Sequence, residues 1–278
     1  MAPDGDLNSV LGKCFALLDA INQSETKALS LGELTRTSGV QKASVHRIAK
    51  RLVDSALLQR DGDRYSIGLR VFEYAHTVPV VSTLRDRAMP YMVELHHRTG
   101  EVIHLATLDG PDVVYLEKVY GPDSPIVPSG VGGRAPSHCT GLGKALLAFS
   151  TTNHLGSVFG RPLAPRTGYT IVVPSLLAGQ LTAVRSDHIA RDNQESVLGL
   201  SCIAAPILDA GGRAIGAISI TAPTQRFRPV SLRPKLLDAA DQLAADPLLA
   251  AEARVPQVLS ASTGAAIGPA ARVRRRSK

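Results

Sequence analysis

Lys42, Ser44, His46, Arg47, Lys50 and Arg51 fall on one side of a helical repeat whose other side is Val45, Ile48, Ala49, Leu52 and Val53. Apolar residues three and four positions apart share a helix face. A helix that is greasy on one side and cationic on the other fits the DNA major groove, where Arg and Lys reach guanine edges and phosphates. The competing reading is a solvated helical hairpin in some other all-helical domain, which would show the same amphipathic pattern.

Several other stretches carry residue types able to do chemistry. The run Thr140-Gly141-Leu142-Gly143-Lys144-Ala145 is half of a phosphate loop, but His138 and Ala145 stand where that motif needs Gly and Ser or Thr, so the phosphate-loop reading fails. A glycine-bearing helix start can still hold a carboxylate through its free amides and the helix dipole. His138 beside Cys139 raises a thiol nucleophile, although sequence neighbours point different ways and no third group orients the pair. Asp192 and Glu195 follow Arg191 in what reads as a turn; either both are solvated or one carboxylate faces a ligand. Ser219 and Thr221 alternate with Ile218 and Ile220, so their hydroxyls share one sheet face and can bind a polar ligand or each other's surroundings. Cys202 sits among apolar strand residues and reads as core. His96 and His97 near a helix end have no third ligand at a recognisable spacing, so no metal site is expected, and no sequence feature calls for a cofactor.

These residues need elements to position them. Ser30 and Glu33 form the S-x-x-E capping box that opens a short helix to about Ser38. Gly39 supplies the turn, and the cationic helix begins near Lys42. Leu34, Gly39, Val40, Val45 and Ile48 occupy the inner and turn positions of a helix-turn-helix. RDGDRYSIG then reads as a hairpin on an Asp-Gly turn, with Arg60 and Arg64 flanking its tip within reach of phosphate or the minor groove. Two helices and a hairpin describe a winged helix. A preceding helix over 9–21, with Val10, Cys14, Leu17, Leu18 and Ile21 on its apolar face and Asn8 or Ser9 as cap, would brace it.

Beyond Gly68, residues 69–77 read as a linker helix stopped by Pro79 and a candidate dimer contact. A longer helix spans 83–99, with Pro90 inside it. From Glu101 the pattern turns to strands: EVIHLATL and VVYLEKVY joined at Asp109-Gly110, with His104 as a packed residue. A proline-bearing loop follows, then a helix from about Gly141, a helix over 175–187, strands SVLGLSCIAAPIL and RAIGAISITA, and a closing helix over 231–245. The domain reading is a winged helix over 8–68, a linker helix over 69–80, a mixed α/β domain with a mainly antiparallel sheet over 81–247, and a disordered basic tail over 248–278.

Charge points to the same local site. The chain carries +7, but Arg272, Arg274, Arg275, Arg276 and Lys278 supply five of it, leaving +2 for the rest. The informative charge is therefore the cluster on the 42–54 helix. No run is long and apolar enough for a membrane span, and MAPDGDLNSV lacks the basic and apolar regions of a signal peptide, so a cytoplasmic protein is expected. Three separated cysteines exclude a zinc ribbon or a disulfide scaffold.

The arrangement resembles the IclR family of bacterial transcriptional regulators. Four motifs in order carry the likeness, over roughly residues 8–245: SVLGKCFALLDAI, SLGELTRTSGVQKASVHRIAKRLVDSALLQRDGDRYSIG, GRAPSHCTGLGKALLAF and GLSCIAAPILDAGGRAIGAISITAP. The resemblance implies a two-domain α+β chain: a winged helix-turn-helix, a linker helix and a GAF-like effector domain. It implies homodimers or dimers of dimers on pseudo-palindromic double-stranded operators, and a small-molecule effector, often a carboxylate or aromatic acid. Its pocket positions fall here on Gly141, Leu142, Asp192, Cys202, Ser219 and Thr221, with Leu142 where a small residue is common. The function expected is an effector-controlled repressor or activator and not an enzyme. Two other readings stand beside it: a cysteine hydrolase working through Cys139, and a metabolite-binding module whose winged helix contacts protein.

Overall fold

Ser9 Oγ accepts from the Gly12 amide and starts α1 (Val10–Gln23). After β1 (Ala28–Ser30), Ser30 and Glu33 satisfy each other's amides as a capping box and open α2 (Leu31–Ser38). Gly39 ends it at φ 68°, where an added Cβ would meet no atom, so the left-handed backbone alone demands glycine. Then come α3 (Lys42–Asp54), β2 (Leu58–Asp61), β3 (Arg64–Ile67) and α4 (Arg70–His76). The structure is a computed structural model describing residues 7–252. It divides between Ser82 and Thr83 into two units.

In the first unit α1 packs against α2 and α3. Leu17, Ile21, Leu34, Val45 and Ala49 are fully buried at that junction. Each large side chain there contributes about 1.5–3 kcal/mol by leaving water. Replacing Ser30 by Ala removes the hydroxyl half of the capping box and leaves the residue-30 amide on Glu33; we expect a loss of about 1 kcal/mol in this unit's stability, read as a lower midpoint in thermal unfolding, while an unchanged midpoint would mean the hydroxyl is redundant. The wing has three strands, not two. β1 pairs with β3 antiparallel, giving the order β1-β3-β2; three residues are too short for a periodic signal.

The α1 stripe differs from expectation. Leu17, Ala20 and Ile21 face the core, but Val10 is 64% exposed, and Leu11 and Phe15 also point to solvent. On α4 and its flanks, Leu69, Phe72 and Tyr74 are exposed as well.

The second unit follows on α5 (Pro79–Thr99), which crosses the boundary. Pro79 was expected to stop one helix; it opens the next, since proline lacks only an amide that a first turn leaves unpaired. The sheet is built from β4 (Val102–Asp109), β5 (Asp112–Val119), β6 (Arg134–Pro136), β7 (Ala190–Asn193), β8 (Leu200–Leu208) and β9 (Ala214–Pro223). Its order is β6-β5-β4-β9-β8-β7, and every pairing is antiparallel. The stretch read as a turn around Asp192 is the edge strand β7, with Ala190 and Asp192 buried and Arg191 and Asn193 exposed.

One face of this sheet is lined with alanines 106, 190, 204 and 217, which let α6 (Gly141–Ala148) lie close. Around it stand α7 (Thr152–Phe159), which the sequence reading missed, and α8 (Pro174–Asp187). α9 (Pro229–Ala244) packs on β8 and β9. Of the stretch expected as a tail from 248, residues 248–252 belong to the helix α10 (Pro247–Glu252), with Leu249 buried, and residues 253–278 lie outside the described residues.

Candidate functional site

Lys42, His46, Arg47, Lys50 and Arg51 are all exposed along α3, with Ser44 half-buried at its first turn. Burial of Val45, Ile48, Ala49 and Leu52 fixes the roll of the helix, so the cationic side faces outward. Among the described residues none of Lys42, Arg47, Lys50 and Arg51 forms an ion pair, which leaves their charge for an outside partner. The wing arginines are more constrained. Arg60 Nε donates to Gly62 O at 2.8 Å and its guanidinium stands over the Tyr65 ring. Arg64 donates to Ala28 O at 2.9 Å and lies 3.7 Å from the capping-box Glu33. That carboxyl is held below its ordinary value mainly by the Ser30 amide and hydroxyl.

The six positions implied for the effector are far apart in sequence and line one cavity of about 190 Å³. Strand register explains how. Asp192, Cys202 and Thr221 are direct partners across β7, β8 and β9. One row along, Ala204, Ser219 and His104 are partners across β8, β9 and β4. Directly paired residues project to the same face. Onto that face comes the start of α6. A Cβ on Gly141 would stand 3.1 Å from Cys202 Sγ, so glycine permits the approach. A Cβ on Gly143 would stand 2.1 Å from Ser137 O, so no side chain fits there without moving the backbone. Thr140 Oγ1 caps α6 by accepting from Gly143 N at 3.1 Å.

The cavity is a buried polar site with missing partners. Ser219 is 0% exposed, lies close to the Cys202 sulfur, and its Oγ meets hydrogen-bond geometry with no group. A buried unpaired hydroxyl is costly unless something else completes it. Asp192 Oδ1 accepts from Glu195 N at 2.7 Å and Ser196 N at 3.4 Å. Burial nonetheless pushes its carboxyl up to about 7, with the Glu195 charge adding to the rise and the two amides opposing it. Cys202 is pushed up to about 12, mainly by burial and then by Asp192, so it packs as a thiol.

Residues that the sequence reading did not place here also line the cavity. His104, read as a packed residue, is buried; one ring nitrogen lies 2.7 Å from Ser129 Oγ and the ring stacks at a tilt on Tyr115. Burial and then Lys118 lower its pKa to about 3, so the ring is neutral. Arg166 reaches the cavity from the loop before α8. Its neighbours in sequence, Pro165 and Thr167, give no periodic or motif signal.

Glu195 does not line the cavity. It is buried against Lys144 of α6, Oε1 to Nζ at 2.5 Å, and Gln180 Oε1 takes a second Nζ proton at 2.8 Å. The pair ties α6 and α8 to the turn whose amides hold Asp192. The thiol-nucleophile reading finds no geometry: Cys139 is fully buried with its thiol pushed up to about 12 by burial, and His138 Nε2 lies 3.0 Å from Ala164 O.

Comparison with known proteins agrees with this two-part layout. Residues 76–247 match the family described as bacterial transcriptional regulator IclR C-terminal, and residues 9–64 match the MarR family. The chain is 30% identical over 228 residues to the HTH-type transcriptional regulator XynR of Escherichia coli (strain K12), covering 79% of this chain and 88% of that one. It is 33% identical over 229 residues to the HTH-type transcriptional regulator KdgR of Dickeya chrysanthemi, covering 81% and 73%. An IclR homolog from Microbacterium hydrocarbonoxydans, crystallised with 4-hydroxybenzoate, shares the fold at a TM-score of 0.77 and 24% identity, over 85% of this chain and 98% of that one.

Proposed function

The chain belongs to the IclR family of bacterial transcriptional regulators, and from that premise we propose how its parts do the family's work. Two copies present their α3 helices to the two halves of a pseudo-palindromic operator. Lys42, Ser44, His46, Arg47, Lys50 and Arg51 contact bases or phosphates, and Arg60 and Arg64 on the wing contact the backbone or minor groove. The exposed apolar residues of α1 and α4, Leu11, Phe15, Leu69 and Phe72 among them, are the surface two copies bury against each other. The protein works in the cytoplasm, binds and does not catalyse, and needs no metal.

A small carboxylic acid in the cavity changes operator affinity. One carboxylate rests on the first amides of α6 and on Ser219, with Gly141, Leu142, Cys202 and Thr221 shaping the floor and Asp192 beside it. The observation that carries this reading is the buried Ser219 hydroxyl, which has the Cys202 sulfur beside it and no nitrogen or oxygen partner, in a cavity whose six implied positions come from α6, β7, β8 and β9. A fold-sharing protein crystallised with 4-hydroxybenzoate supports an acid of this kind. The effector acts only if it binds two arrangements of the DNA-binding pair with different affinity, and the α4 linker is where those arrangements diverge.

Footprinting of the full-length protein on the DNA upstream of its own gene, with and without added acids, tests the whole reading. A protected pseudo-palindrome whose protection changes with acid is expected. Absence of protection at low and physiological salt would favour a protein-contacting winged helix. Within the same assay Arg47→Ala should weaken operator binding about tenfold or more and flatten its salt dependence. Unchanged affinity at physiological salt would remove Arg47 from the interface.

A further inference from the structure

Arg166 lines the effector cavity, and the reading above leaves it unused. Its backbone is held in place. The amides of Arg166 and Thr167 both donate to Thr170 Oγ1 at 2.9 Å, and that hydroxyl donates to Glu195 O at 2.7 Å. Thr167 Oγ1 donates to Gln194 O at 2.7 Å. These bonds clamp the turn carrying Arg166 to the backbone just past Asp192, so the arginine's Cα is fixed relative to the cavity floor.

Arg166 is exposed to solvent while lining the cavity, and its charge has no carboxylate partner among the described residues. The cavity has a second arginine, Arg134, but that guanidinium is paired with Asp109 and lies 3.8 Å from Asp112. The Arg166 charge is felt inside the unit, where it eases ionisation of the Cys139 thiol. Asp192 offers little competition, since burial keeps its proton on to about pH 7.

A planar guanidinium takes a carboxylate through two parallel hydrogen bonds. The cavity therefore holds two separate acceptor-seeking places, the α6 amides with Ser219 and the Arg166 fork, within about 190 Å³. The small size of that space limits the chain between them. Resting on the acid-effector reading above, we propose that Arg166 is a specificity-determining residue and that the effector is a short dicarboxylic acid, one carboxylate on the α6 start and Ser219, the other on Arg166.

Calorimetric titration of the full-length protein tests this with malonate, succinate, glutarate and adipate against the straight-chain monoacids of equal carbon number. At least one diacid should bind about tenfold or more tighter than its monoacid, the scale of a charge-assisted pair. Arg166→Ala should bring that ratio close to one, and Arg166→Lys should keep part of it. Monoacids binding as tightly as diacids, or a ratio that survives Arg166→Ala, would overturn the role of Arg166 while leaving an acid site in place. No binding by any of the eight acids would overturn the dicarboxylate proposal together with the acid reading it rests on.

Discussion

Lys144→Ala is expected to cost about 3–5 kcal/mol, because it strands the buried Glu195 carboxylate without the one cation that pairs with it among the described residues. Lys144 is 1% exposed and Glu195 is equally shut from water. Glu195 Oε2 already lacks a partner, so no spare hydrogen bond takes up the slack. For a unit of this size the loss lowers the thermal midpoint by roughly 10 °C or more. The double variant Lys144→Met with Glu195→Leu separates charge from packing. It removes both ions while keeping the volumes, and should recover most of the midpoint, since apolar replacement of a buried pair is often close to neutral. A single variant that melts within about 2 °C of the parent would mean that water reaches the pair and that it does not brace the cavity.

The same variant carries a functional consequence. Glu195 N donates to Asp192, and Glu195 O anchors the Arg166 turn through Thr170. Loss of the Lys144 contact frees the residue on which both cavity walls hang. Effector response should weaken at temperatures where the protein is still folded, while operator binding through α3 persists. Damage to operator binding alone would point to a different role for this pair.

How much of this was legible in the sequence depends on the range of each interaction. The cationic helix α3 was, because the alternation of Val45, Ile48, Ala49 and Leu52 with cations is local and the Ser30 cap and Gly39 turn lie within a dozen residues. Strand identity in the large sheet was also readable from β-branched alternation. The short elements were not: β1 and β6 have three residues each, and β7 is a polar edge strand whose buried Asp192 breaks the apolar rule. The positions lining the cavity came from resemblance, since only strand register brings Asp192, Cys202 and Thr221 into one row. Lys144 was read as a remnant of a phosphate loop, because its partner lies 51 residues away and no pattern links them. His104 looked like packing for a related reason: alternation shows which side of a strand is covered, not whether helix or cavity covers it.

His104 and Asp192 together make the cavity's response to pH, and each should reveal the other when removed. Between about pH 4 and 6.5 an unfolded chain carries a protonated histidine and an ionised aspartate, their ordinary pKa values being 6.5 and 3.8. The folded cavity reverses both: burial drops His104 to about 3 and raises Asp192 to about 7. Folding thus releases one proton and takes up one, and the two slopes cancel in the parent. In Asp192→Asn only the histidine remains. The unfolded state then holds the extra proton, so stability relative to the parent rises with pH across this window. In His104→Gln only the aspartate remains; the folded state holds the extra proton, and relative stability falls as pH rises toward 7. At up to about 1.4 kcal/mol per pH unit, each difference reaches about 2 kcal/mol between pH 4.5 and 6.5, with opposite sign. Denaturant unfolding of the three proteins across that range measures it. Two variant curves that run parallel to the parent would mean that these groups titrate as they do in water and that the cavity is wet. Opposed slopes would establish a dry cavity in which both groups are neutral below pH 7. A bound carboxylate then meets no competing anion below pH 7, and it loses affinity as Asp192 ionises above that pH.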